Sequence, residues 1–424
     1  MIQRFLTSLY YAPDHPVIGY SKKQKETYLM GIGEFLYNID SNSPNLKFCF
    51  DFLCENVLDE KLPKAWNGTS DLRYVNKAQK LQRKGFKFFR MNDSFWWDVF
   101  KILSVSNINS PIVNKQIADL AEGYIKSKKA RKTLFDGRDY FLGTGNGKRL
   151  NSLLKRYSDE NFRFLSDKMK RILVVGTMSA GKSTLINAII GKKVTKVKNS
   201  ACTNQITFYY NRAYNDHIVY SDGYTYGISK DISEEFVDKK HVSLKFNSSF
   251  NSKPYVIIDS PGVDYAYDDS HKKITYDFIN QGFYDTILCV INAPYLEREG
   301  EMSLINEILK IRNKEKIFIL NQLDRFDPTD DSIEKTYKQF KKFIKDNDSN
   351  ALIIPLSARL AYLNKKNNSE IPLTEQEQLD YKNLRERMSS LFYDLGMYYS
   401  GMCSSGQDFF ARSGLTSLET ELMK

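Results

Sequence analysis

The fold of this chain is decided by the stretch RILVVGTMSAGKS, residues 171–183. A short apolar run rich in β-branched residues ends at Gly176, and a segment of helical character (182–191) follows at once. Between them stands the pattern G-x-x-x-x-G-K-[ST], which in this strand–loop–helix setting is typical of a phosphate-binding loop. Its glycines let successive backbone N–H groups face phosphate oxygens, and the helix N-terminus adds positive potential.

This loop predicts the phosphate half of a nucleotide site. Lys182 is expected to reach the β- and γ-phosphates, and the Ser183 hydroxyl is expected to bind Mg²⁺. The pattern alone does not distinguish GTP from ATP. The residues expected to touch the nucleotide here are Gly176, Thr177, Met178, Ser179, Ala180, Gly181, Lys182, Ser183 and Thr184.

From Arg171 onward, strand-like runs alternate with helical segments. The runs lie at 171–176, 206–210, 255–259, 286–291, 316–320 and 351–356. The helical segments lie at 182–191, 271–281, 301–313 and 331–346. The alternation predicts an α/β fold, a P-loop domain whose mainly parallel sheet is covered by helices on both faces. Ligands of such sheets bind at the carboxyl ends of the strands.

Three further motifs follow in order, each at the end of a strand-like run. They are DSPG (259–262), NQLD (321–324) and SAR (357–359). Each is weak alone, but four motifs in order at strand ends indicate a guanine nucleotide site.

Each of these motifs has an expected chemical role. Asp259 would hold Mg²⁺ through water, and the Gly262 N–H would reach the γ-phosphate. The Asp324 carboxylate would accept hydrogen bonds from N1–H and N2–H₂ of guanine, which adenine does not offer. Asn321 and Gln322 complete that base loop, and the backbone of Ser357, Ala358 and Arg359 would meet the guanine O6.

The stretch GTMSAGKSTLINAIIGKK (176–193) resembles the first motif of the dynamin superfamily, especially that of bacterial dynamin-like proteins. The resemblance covers about 171–424, including the long stretch before Asp259 and the closing helix SGLTSLETELMK. It implies a GTPase that binds GTP or GDP with Mg²⁺. It also implies that Ser179 helps to bind K⁺ or Na⁺ in the transition state. Thr203 would close over Mg²⁺ and position the attacking water, so the catalytic set implied is Ser179, Lys182, Thr203 and Gly262.

The chain departs from the family pattern at three places. Gln322 stands where the family usually has lysine, although its aliphatic stem can still cover the edge of the base. Val263 stands where small GTPases carry a catalytic glutamine, an absence that the dynamin family shares and that implies dimerisation across the nucleotide. The stalk of the family is missing, so either the chain is a fragment of a longer protein or a separate polypeptide supplies the stalk.

The first part of the chain has a different character. Residues 1–170 hold 29 Lys+Arg against 18 Asp+Glu, whereas the remainder is balanced, so they carry the whole excess of +11. Helical spacing of apolar residues predicts helices at 21–39, 44–58, 94–103 and 112–129. The glycine-containing stretch 136–149 reads as a linker. We therefore predict a basic, mostly helical domain (1–147), a neck-like helix (148–170) and a GTPase domain (171–424).

Two basic stretches within this part suggest a partner. Residues 77–90 hold six basic side chains and no acid, and residues 126–138 hold six with one acid. Three interpretations of these stretches remain open. They could form a basic face in contact with solvent only, a surface for anionic lipid, or a contact with nucleic acid or an acidic protein. We recognise no RNA- or DNA-binding motif.

These features favour a dynamin-like GTPase that self-associates and acts at membranes. A regulatory GTPase of the translation or ribosome-assembly kind, with its basic part on RNA, is the alternative, as is a GTP-dependent switch that binds a partner protein. No stretch approaches the roughly 18 uninterrupted apolar residues of a membrane span, and the start does not read as a secretory signal. We therefore expect a cytoplasmic protein, or one peripheral to the inner face of a membrane.

Overall fold

The computed structural model describes residues 15–69, 71–84, 93–106, 108, 110–195, 205–215, 218–221, 224–227, 239–263, 269–369, 372–404 and 408–424. The chain forms two compact units, Met1–Arg163 and Phe164–Lys424. Thr203 lies outside the described residues. No helix in the described part of the chain has the length and apolar character that crossing a bilayer requires.

The first unit is helical, as its sequence predicts. Its helices are α1 (Lys22–Asp40), α2 (Pro44–Leu58), α3 (Arg73–Lys84), α4 (Phe95–Val105), α5 (Pro111–Tyr124), α6 (Lys128–Phe141) and α7 (Ser152–Ser166), the last of which runs into the second unit. A capping box of Ser21 and Gln24 begins α1. Trp96 and Trp97 on α4 are fully buried, and the Trp97 indole N–H donates to the Ser158 hydroxyl at 2.9 Å.

Two details of the helical prediction were wrong. The segment predicted as one helix over 112–129 is divided, because Ser127 caps a new helix by accepting a hydrogen bond from Ala130 N–H. Residues 136–141 of the predicted linker continue that helix, in which Leu134 and Tyr140 are buried. The neck-like segment holds a helix only over Ser152–Ser166.

The second unit is built on a nine-stranded sheet with the order β4-β3-β5-β2-β6-β1-β7-β8-β9. Strands β6, β1, β7, β8 and β9 run parallel, and β2 joins β6 antiparallel. The strands are β1 (Lys170–Gly176), β2 (Thr207–Asn211), β3 (Ile218–Ser221), β4 (Tyr224–Gly227), β5 (His241–Leu244), β6 (Tyr255–Asp259), β7 (Thr286–Asn292), β8 (Glu315–Asn321) and β9 (Leu352–Leu356). The predicted α/β fold with a mainly parallel sheet is confirmed.

Helices surround this sheet. They are α8 (Lys182–Ile190), α9 (Asp269–Gln281), α10 (Glu299–Lys310), α11 (Ile333–Asn347), α12 (Ala358–Asn367), α13 (Glu375–Arg387), α14 (Leu395–Ser400), α15 (Phe409–Arg412) and α16 (Leu415–Met423). The central strands are buried along almost their whole length, which is typical of a sheet covered on both faces. Leu418 and Leu422 of the closing helix α16 belong to the same core, so this helix is part of the domain.

Candidate nucleotide site

The loop between β1 and α8 has a tightly curled backbone. Ser179 and Gly181 adopt positive φ angles of 63° and 94°, a left-handed conformation that only glycine adopts easily. A Cβ added to Gly181 would lie 2.3 Å from the Asn321 side-chain nitrogen, so no larger residue fits there without displacing Asn321. Left-handed turns of this kind direct neighbouring backbone N–H groups into one concavity that suits an anion.

Lys182 lies in the curl of this loop. Its side chain is buried, and Nζ donates to the carbonyl oxygens of Gly176 and Thr177 at 3.0 and 2.8 Å. Burial lowers the pKa of Lys182, and the carboxylates of Asp259 and Glu301 act in the opposite direction. The ammonium therefore carries a desolvation cost that a bound phosphate would offset. Ser183 and Thr184 occupy the first turn of α8, directly after Lys182.

The DSPG segment packs against the same loop. Asp259 is buried at the end of β6, beside Val174 of β1 in the parallel register. A Cβ on Gly262 would lie 3.2 Å from the Met178 backbone nitrogen and 3.3 Å from Lys182 Nζ, so Gly262 is in close contact with the phosphate loop. The positions predicted for Mg²⁺ and the γ-phosphate thus lie beside Lys182.

Asn321 connects three of the four motifs. Its side-chain amide donates to the Ala180 carbonyl at 2.8 Å, and its Oδ1 accepts from the Ala358 N–H at 3.0 Å. The residue is buried at the end of β8, between β7 and β9. One side chain therefore holds the phosphate loop, the NQLD turn and the SAR loop together at a single edge of the sheet.

Asp324 has the environment of a base-reading carboxylate. It is buried, which raises its pKa, while a hydrogen bond with the Ser357 side chain lowers it in part. Ser357 also caps α12 by accepting from Leu360 N–H. The Arg359 side chain pairs with Asp380 at 2.6 Å, so only the backbone of Arg359 remains for the expected contact with guanine.

Gln322 makes a contact that the sequence did not suggest. It has a positive φ of 66°, and its amide nitrogen donates to the Ser179 carbonyl at 2.6 Å. Arg325 donates to the Gln322 side-chain oxygen at 2.7 Å. The polar end of Gln322, and not only its aliphatic stem, is therefore fixed over the phosphate loop.

Glu301 on α10 is a second residue that sequence reasoning missed. The Thr177 hydroxyl and, at 3.4 Å, the Asn292 backbone N–H donate to its carboxylate, and the residue is buried. Glu301 occupies the helical face formed by Leu304, Ile305 and Ile308. The sequence did carry a signal for Glu301, since a carboxylate stands there in an apolar stripe of a helix. A buried charge requires polar partners nearby, so such a position points to a polar contact in the core.

The strand order of the sheet and the curled glycine loop before α8 are those of a P-loop domain. The model of the dynamin family matches residues 172–323. This stretch of the second unit is therefore similar to the dynamin family.

Relatives share the domain at low identity. The chain is 25% identical over 214 residues to a probable transmembrane GTPase FZO-like protein of Arabidopsis thaliana, covering 48% of this chain and 21% of the relative. It is 28% identical over 235 residues to the Fe(2+) transporter FeoB of Helicobacter pylori, covering 52% of this chain and 30% of the relative. It is 26% identical over 176 residues to a bacterial dynamin-like protein of Nostoc punctiforme, covering 37% of this chain and 25% of the relative. The matches thus span less than a third of each of these relatives.

Solved structures show weaker similarity. A chain of an oligomerised bacterial dynamin pair aligns with 95% of this chain and 72% of its own length, with 16% identity and a TM-score of 0.35. Era of Aquifex aeolicus bound to GDP and aluminium fluoride aligns with 49% of this chain and 59% of its own length, with 19% identity and a TM-score of 0.32. The similarity to the dynamin family therefore depends on the sequence match.

Proposed function

We propose that this chain binds GTP and hydrolyses it to GDP and phosphate. The observation that supports this most directly is the bridge made by Asn321, which brings the phosphate loop and the two base-reading loops to one edge of the sheet. Lys182 would bind the β- and γ-phosphates, and Asp324 would select guanine over adenine through its carboxylate.

The residues at the phosphate end also suit a magnesium ion. The Ser183 hydroxyl and the buried Asp259 carboxylate are the hard oxygen ligands that Mg²⁺ prefers, and the resemblance adds Thr203. When bound there, Mg²⁺ would supply positive charge that offsets the negative charge of the phosphates during the reaction. The resemblance also assigns K⁺ or Na⁺ to Ser179.

Hydrolysis would require more than one copy of the chain. Val263 follows DSPG, is buried and is apolar, so it cannot orient the attacking water as a glutamine would. The attacking water would instead be positioned by the Gly262 N–H, Ser179 and Thr203. A second domain that faces the nucleotide would complete the site. A transition-state contact supplied in trans can be worth about 10³–10⁵ in rate.

We further propose that the protein self-assembles and acts at membranes as a dynamin-like GTPase, from the cytoplasmic side. The family match and the FZO-like and bacterial dynamin-like relatives support this choice. The regulatory GTPase with RNA on the basic part, and the protein-binding switch, are the alternatives that the tests below separate.

Three measurements test this function. Calorimetry with GTP and ATP should show binding of GTP and poor binding of ATP, and equal affinities would reject the guanine assignment. Specific activity should rise with protein concentration, and light scattering should show a dimer only with GDP and aluminium fluoride. A flat specific activity with a monomer in every state would reject the dimer and favour the switch.

A further inference from the structure

The helical unit carries a cluster of exposed cations on two helices. Arg73, Lys77 and Lys80 are exposed on one face of α3, while Val75, Ala78 and Gln79 between them are buried. The segment that begins α6 exposes four more lysines. We call these seven residues the basic face: Arg73, Lys77, Lys80, Lys126, Lys128, Lys129 and Lys132.

Asn76 brings the two groups together. Its side-chain amide donates to the Tyr124 carbonyl at 3.0 Å, and its Oδ1 accepts from the Lys126 N–H at 3.3 Å. Because Asn76 neighbours Lys77 on α3, these bonds place the start of the lysine-rich segment against the cationic side of α3. The Asn76 bonds therefore join the lysine-rich segment directly to the helix that carries the other three cations.

Carboxylates do not neutralise this face. Within the residues that the structure describes, none of its six lysines forms an ion pair. Two of its cations instead contact an aromatic ring: Arg73 Cζ and Lys77 Nζ each lie 5.0 Å from the centre of the Tyr74 ring. The carboxylates nearest in sequence are Asp71, which accepts from the Arg73 N–H, Glu122 on α5, and Asp136 on α6. Asp136 accepts from the Arg149 N–H at 2.6 Å and pairs with the Arg149 side chain at 3.8 Å.

The placement of the lysines on α6 is not explained by helix stability. Lys128 and Lys129 lie in the first turn, which contains no acidic residue, and Ser127 caps it. Cations at a helix N-terminus are repelled by the helix dipole, so they weaken the helix that carries them. A bound anionic surface would compensate both this repulsion and the crowding of like charges.

We propose that the basic face docks the chain on an anionic lipid bilayer. The inference deepens the proposed action at membranes and rests on it. Lysine dominates the face, and its mobile point charge suits a fluid layer of headgroups, whereas recognition of nucleic acid favours the rigid fork of arginine. Tyr124, at the junction made by Asn76, is 43% exposed and suits the headgroup region, where tyrosine is enriched.

Vesicle co-sedimentation of the whole chain without nucleotide tests the proposal. Vesicles of phosphatidylcholine alone are compared with vesicles that also contain phosphatidylserine, at low and high salt. The protein should bind only the anionic vesicles, and salt should weaken the binding. Lys77→Gln/Lys128→Gln should lower the partition coefficient about 30-fold, from about fivefold for each neutralised residue.

A matched pair on the other unit is the control. Lys335→Gln/Lys342→Gln removes the same net charge from exposed positions of α11 and should leave vesicle binding unchanged. Equal losses in both pairs, or no binding by the parent chain, would overturn the proposal. Binding of RNA instead of vesicles, lost only in Lys77→Gln/Lys128→Gln, would assign the face to nucleic acid.

The nucleotide chemistry is tested separately from this face. Lys182→Ala should stop GTP turnover and leave vesicle binding intact. If the parent chain binds anionic vesicles through the basic face but does not turn over GTP, the proposed hydrolysis fails while this inference holds. If it turns over GTP but does not bind vesicles, the reverse is true.

Discussion

Replacing Asn321 by alanine tests whether one side chain couples phosphate binding to base binding. The change removes the hydrogen bond to the Ala180 carbonyl at 2.8 Å and the one from Ala358 N–H at 3.0 Å. Both partners would lose their hydrogen bonds to this residue in a buried region. The phosphate loop and the SAR loop would no longer share a tether.

The magnitude follows from these two bonds. Leaving a buried donor or acceptor unsatisfied costs about 1–3 kcal/mol, and water entering the space of the lost side chain would relieve part of it. We expect Asn321→Ala to lower the free energy of unfolding by about 2–4 kcal/mol. In a unit of this size each kcal/mol shifts Tm by about 2–4 °C. We expect GDP affinity to fall on the order of tenfold, the equivalent of about 1.4 kcal/mol.

Asn211 provides a matched control. It is buried at the end of β2, donates to the carbonyls of Asn251 and Lys253 at 2.9 and 2.7 Å, and accepts from Phe246 N–H at 3.0 Å. The β2–β6 register places it at the end of β6 that lies away from Asp259. Asn211→Ala should therefore cost similar stability without changing the intrinsic affinity for GDP.

Thermal unfolding without nucleotide and calorimetry with GDP, below the unfolding range of both variants, give the two readouts. The reasoning is refuted if both variants lose stability and bind GDP as the parent does, because Asn321 would then only support the fold. It is also refuted if Asn321→Ala unfolds at the parent temperature, because the bonds would then contribute nothing.

Three further predictions concern the nucleotide. Lys182→Ala and Ser183→Ala should abolish binding or turnover, and Thr203→Ala should keep GDP binding yet stop hydrolysis; normal turnover would move that role to Thr207. Burial raises the pKa of Asp324 above its usual value of 3.8. Calorimetry across a descending pH series should therefore show GDP affinity falling as the carboxylate protonates. The same raised pKa makes the nucleotide-free domain more stable as the pH falls through the pKa of the folded state. Potassium should support turnover better than lithium in a phosphate-release assay, and equal rates would remove the cation from Ser179.

The sequence predicted the parts of the site that are local. A glycine loop between a strand and a helix, and polar tetrapeptides at strand ends, follow from short patterns, and parallel strands bring those ends to one edge. The alternation of strands and helices gave the parallel part of the sheet for the same reason. The chemical roles of these residues, Thr203 included, stay predictions.

What the sequence could not provide depends on contacts between distant segments. Glu301 meets Thr177 across 124 positions, and Gln322 meets Ser179 across 143, with no motif to signal either contact. The short strands β3, β4 and β5 were missed because runs of four residues give too little periodicity. The break between α5 and α6 was missed because the apolar spacing continues through it, and a single serine cap decides it.

The position of the tryptophans makes the two units separable by fluorescence. Trp66, Trp96 and Trp97 are the three tryptophans of the sequence, and all lie in the helical unit. Emission excited selectively in tryptophan therefore reports the opening of that unit alone, and the second unit does not contribute to this signal. Circular dichroism sees both units, so a comparison of the two signals during denaturation measures whether the units unfold together or one after the other.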